Sequence, residues 1–93
     1  MASKKNLKKD IDYLITDVIV DCYARMDEHP EKDFSAYEEI INEIIMVKED
    51  LVERINHFDS GIHGNSRNYF LQIKKDLIKN ITEAYDKLTK LEG

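Results

Sequence analysis

Residues 35–58, SAYEEIINEIIMVKEDLVERINHF, place apolar side chains at Tyr37, Ile40, Ile41, Ile44, Ile45, Val47, Leu51, Val52, Ile55 and Phe58. Steps of three and four collect such residues on one side of a helix, because the α-helix turns about 100° per residue. The isoleucines and valines favour strands by propensity. The three-four rhythm nevertheless outlasts an ordinary strand, and Glu43, Lys48, Glu49, Glu53 and Arg54 fall outside the stripe, so the segment reads as a helix over 35–57. Ser35 followed by Glu38 has the form of a capping box, in which each side chain satisfies the other residue's unpaired N–H.

The same rhythm appears on both sides. Upstream, Leu7, Ile11, Leu14, Ile15, Val18, Ile19, Cys22, Tyr23 and Met26 define an amphipathic helix over 5–28. Pro30 ends it, because proline has no backbone N–H and pushes the preceding residue out of helical geometry. The link His29–Phe34 is short. Downstream, the pattern breaks at Asp59-Ser60-Gly61 and Gly64-Asn65, a composition suited to a chain reversal. Asn65 or Ser66 then caps a third helix over 66–91, with Phe70, Ile73, Leu77, Ile81, Ala84, Leu88 and Leu91 inward and Ile78 and Tyr85 flanking. Short links keep consecutive helices adjacent, so the expected fold is all-α: residues 1–93 as a single domain, an antiparallel up-down-up three-helix bundle.

Composition bounds the function. Cys22 is the only cysteine in the 93 residues, so an internal disulfide is excluded and a cytoplasmic setting is expected. No run approaches the ~20 apolar residues of a membrane span, and none has signal-peptide form. The net charge of −5 is unevenly spread. Residues 1–9 carry Lys4, Lys5, Lys8 and Lys9 with no acid, whereas residues 10–59 hold 15 acids against 4 bases. An acidic middle repels phosphate, so no nucleic-acid partner and no membrane partner are expected; the lysines form a solvated helix start or touch an acidic surface.

His57, Asp59 and His63 supply two imidazoles and a carboxylate on one loop, the donor set of a divalent metal, though without the tight recurrent spacing of a structural zinc site. No Glu-x-x-His is present to build a carboxylate-bridged di-metal bundle, despite Glu53 and His57 lying four apart. Asp10, Asp17 and Asp21 recur at helical spacing beside the first stripe, with Asp21 placed to pair with Arg25, and they read as an exposed charged face rather than an acid-base pair. Cys22 sits mid-helix next to Asp21, which disfavours a thiolate nucleophile. Phosphate loops, nucleophile elbows and calcium loops are missing from the sequence, so no enzyme activity and no cofactor are expected.

The stripes on the first two helices span about half the circumference, more than a single seam requires. Val20 and Met46 project away from those stripes, and Tyr13 is an off-stripe aromatic of a type enriched at interfaces. Tyr13, Val20 and Met46 are therefore the interface candidates, for a homodimer or another protein partner. Tyr23, Tyr37 and Tyr85 read as core-edge residues.

The segments Lys8-Lys9-Asp10-Ile11-Asp12-Tyr13-Leu14, Val20-Asp21-Cys22-Tyr23, Ile55-Asn56-His57 and Lys74-Lys75-Asp76-Leu77 resemble those of a family of short bacterial all-helical proteins with no assigned function. The resemblance implies a helical fold and a bacterial cytoplasmic setting, and it brings no site residue with it. The expected function is a non-catalytic protein-interaction or self-associating module. The alternative is a metal-binding or metal-dependent protein using the 57–63 loop.

Overall fold

The computed structural model describes residues 4–28 and 34–92, with the side chains of Ser60, His63 and Glu92 outside that description. Three long helices, α1 (Lys4–Glu28), α2 (Ser35–Asn56) and α4 (Ser66–Glu92), pack against one another, with a one-turn helix α3 (Ser60–His63) between the last two. The body is a rod of 53 × 18 × 17 Å, the proportions of a bundle rather than a globule. No described residue is in a strand. None of the described helices is long and apolar enough to cross a membrane.

Polar pairs across the seams report the helix directions. Lys87 Nζ lies 2.7 Å from Glu43 Oε2, and Arg54 Nη1 lies 2.9 Å from Asp76 Oδ2. As α2 ascends, its α4 partner descends, so the two are antiparallel. Lys48 Nζ donates to Asp12 Oδ1 at 2.7 Å, joining the early part of α1 to the later part of α2. Asp17 Oδ2 accepts the Tyr85 hydroxyl at 2.8 Å, tying α1 to α4.

The core follows the predicted stripes. Leu7, Ile11, Ile15, Val18 and Cys22 from α1 meet Tyr37, Ile40, Ile41, Ile44, Leu51 and Ile55 from α2 and Phe70, Ile73, Leu77, Ile81, Ala84 and Leu88 from α4. Among the described residues no polar or charged residue is buried. Two stripe members depart from expectation: Tyr23 and Ile45 are exposed. Each helix in a three-helix bundle has only two neighbours, so the outer edge of a half-circumference stripe has nothing to meet. Tyr37 departs in the other direction, since it is fully inside rather than at the core edge.

The ends of α2 also differ in detail from the sequence reading. The capping box does not form: the Glu38 N–H donates to the Phe34 carbonyl at 2.9 Å, and Phe34 occupies the cap position without a side-chain cap bond. Phe34 has helical backbone angles, so the helical turn starts too early for the Ser35 hydroxyl to serve as its cap. The link expected at His29–Phe34 lies largely outside the described residues.

The second link contains more structure than a plain loop. Asp59 accepts the Gly61 N–H through Oδ1 at 2.8 Å and the Ile62 N–H through its carbonyl at 3.1 Å, which initiates α3. Gly64 reverses the chain with φ +76°, a region that other residues rarely enter. Asn65 Oδ1 then accepts the Arg67 N–H at 2.8 Å and caps α4 as anticipated. Phe58, Tyr69 and Phe70 close this end of the bundle with ring centroids 5.0 to 5.9 Å apart. The Tyr69 hydroxyl donates to the Arg54 carbonyl at 2.8 Å, satisfying an acceptor in the last turn of α2.

Candidate functional site

One donor atom each of His57 and Asp59 is engaged within the fold. His57 Nδ1 lies 2.8 Å from the Glu53 carbonyl, a contact that fixes the ring against the last turn of its own helix. One oxygen of Asp59 is engaged by the Gly61 amide. The His63 side chain lies outside the described part of the chain. Among the described residues no group of three or more His, Cys, Asp or Glu side chains is gathered as a metal site would require.

Asp17, Asp21 and the thiol of α1 are likewise engaged within the fold. Asp21 Oδ2 accepts from Arg25 Nε at 2.9 Å, the predicted pair one turn apart. Asp17 receives the Tyr85 hydroxyl, and partial burial together with that carboxylate pushes the Tyr85 phenol up to about 12. Cys22 is fully buried. Burial, reinforced by the Asp21 charge, raises its thiol above the usual range, and Arg25 only partly offsets this. The thiol is therefore protonated at neutral pH and unsuited to nucleophilic attack.

What the bundle presents outward is a surface of mixed character on α1 and α2. Tyr13 is 74% exposed, Val20 59% and Tyr23 54%, and all three sit on the outer side of α1. Thr16 lies among them and also borders an open groove of about 650 Å³ between α1 and α2. Ile15, Ile19, Ile45 and Val52 form the apolar floor and flank of that groove. Lys48, Glu49 and Glu53 form its charged rim. The outer side of α1 and the groove are continuous through Thr16, which lines both.

The three interface candidates do not share one surface. Tyr13 and Val20 flank Thr16 on α1. Met46 is equally exposed at 68%, but it borders a separate groove between α2 and α4 beside Asp50, Lys79 and Glu83. Tyr23 was not among the candidates, although the signal was in the sequence: it stands three residues after Val20 and seven after Thr16, one helical face. Its place at the edge of the apolar stripe assigned it to the core instead. Ile62, Leu71 and Ile78 are also exposed, on α3 and α4.

No family model, curated protein or solved structure matches the chain.

Proposed function

We propose that this chain is a non-catalytic interaction module that self-associates through the outer face of α1 and the adjoining α1–α2 groove. The observation that carries this reading is the cluster of Tyr13, Val20 and Tyr23, each more than half exposed on one helix, next to a groove floored by Ile19, Ile45 and Val52. Single exposed hydrophobes are ordinary, whereas a contiguous apolar strip with a polar rim marks an interaction surface. Two aromatics at its ends supply large contact area at low cost in side-chain entropy. The reading also accounts for the chemistry of the site: the thiol is buried, and Asp17 and Asp21 are committed to partners within the fold.

Light scattering over a wide concentration range tests it. The expected result is a mass that rises from one chain towards two, and a Val20→Glu variant that keeps its helicity but remains monomeric. A wild-type chain that stays monomeric at the highest attainable concentration overturns the proposal.

A further inference from the structure

The outer arc of α1 carries a sorted sequence of charges. At 100° per residue, an arc of about 80° on the solvent side contains Lys5 and Lys9, then Tyr13, Thr16, Val20 and Tyr23, then Asp27. All are exposed, and no other residue of α1 falls in that arc. Along the axis the order is basic, apolar, acidic, with Thr16, smaller than the tyrosines and the valine beside it, at the midpoint of Lys4–Glu28. Among the described residues Lys5, Lys9 and Asp27 are in no ion pair.

Resting on the self-association proposed above, we infer that the occupant of this face is a second copy whose α1 runs antiparallel, with a twofold axis at Thr16. A closed dimer buries the same patch on both chains, so the patch has to complement itself. A twofold axis at Thr16 does this residue by residue. Lys5 meets the partner's Asp27. Lys9 comes over the ring of the partner's Tyr23, a cation–π arrangement. Tyr13 and the partner's Val20 fill the space on either side of the two threonines, whose small side chains let the helices approach. Pairs at both ends are about 33 Å apart along the axis, far enough for each to act independently of the other across several screening lengths. A parallel arrangement sets Lys5 and Lys9 against their own copies and Asp27 against itself. Apolar contact supplies the affinity, and the charges select the direction.

The test uses the full chain. Thr16→Cys introduces an exposed thiol at the axis, Met46→Cys places one off it, and wild type serves as control because Cys22 is buried. With a short bis-maleimide, Thr16→Cys is expected to give a covalent dimer, and Met46→Cys and wild type are not. In light scattering, Lys5→Asp and Asp27→Lys each weaken the dimer by about three- to tenfold, and the double variant recovers wild-type affinity. A dimer that cross-links through Met46→Cys but not Thr16→Cys, or a double variant weaker than either single one, overturns the antiparallel arrangement and leaves self-association standing. A wild-type chain that is monomeric throughout overturns both.

Discussion

Tyr37 is 2% exposed at the start of α2, and its hydroxyl has no hydrogen-bond partner among the described residues. A buried hydroxyl without a partner forfeits the bonds that water gave it in the unfolded chain, a cost of order 1–3 kcal/mol. Tyr37→Phe removes the hydroxyl and keeps the ring, so the variant is expected to gain about 1 kcal/mol, and its thermal midpoint to rise by about 4–8 °C. A melting temperature equal to or below that of wild type contradicts this. Asp76 gives the opposite case, a polar group made favourable by its surroundings. The Arg54 guanidinium holds its carboxyl below the usual carboxylate range, with a further bond from Gln72 Nε2. Because its folded value is depressed, Asp76 contributes stability above its unfolded value of about 3.9, and that contribution disappears as pH falls through the folded value. The pair is partly exposed, so Asp76→Asn should cost no more than about 1 kcal/mol at pH 7. Denaturant titrations at pH 7 and at pH 3 check the sign: the gap between variant and wild type narrows in acid, and a gap that widens contradicts the assignment.

At the level of elements, the end of α2 and the start of α4 depend on two residues with different tasks. Gly64 makes the reversal with φ +76°, and Asn65 caps the helix that follows. Asn65→Ala leaves the Arg67 amide without its side-chain acceptor and is expected to cost about 0.5–2 kcal/mol by chemical denaturation. An Asn65→Asp variant, which still offers a carboxylate oxygen, should stay close to wild type, so equal losses in the two variants contradict the capping role. Asn65 was legible in the sequence because a reversal signal stood directly before a three-four apolar rhythm. Ser35 offered the same local signal and did not act on it, since the helical turn begins at Phe34 and the Phe34 carbonyl takes the Glu38 N–H. Local chemistry states what a residue can do; the conformation of its neighbour decides whether it does. The one-turn helix at Ser60–His63 was hidden for a similar reason, since four residues are too few to show a period. Tyr23 and Ile45 show a third limit: periodicity locates a stripe, but only the number and position of neighbouring helices set how much of it is covered. The same limit kept the charge order of Lys5, Lys9 and Asp27 out of sight, because the outer arc is defined only once α2 and α4 are in place.

The whole molecule joins these scales through its thin margin of stability. A chain of 93 residues buries a modest fraction of its surface, and the net stability of such a domain is of order 5–10 kcal/mol. Its long rod leaves a large share of each helix facing water, and on α1 that share includes Tyr13, Val20 and Tyr23. Association through this face couples folding to concentration, because a partner that binds only the folded chain shifts the unfolding equilibrium by mass action. The melting temperature of wild type is therefore expected to rise steadily with protein concentration over a hundredfold range. Val20→Glu separates this coupling from intrinsic stability. Val20 is exposed on α1, and glutamate has the better helix propensity, so in the dilute limit the variant should melt close to the wild-type temperature. Its midpoint should then show no dependence on concentration, since a glutamate on the axis-facing strip meets an aromatic and acidic stretch of the partner helix. If wild type melts at one temperature across the whole range, the strip stabilises nothing between copies. If Val20→Glu keeps the concentration dependence, the contact lies on another face, and the groove beside Met46 between α2 and α4 becomes the surface to alter next.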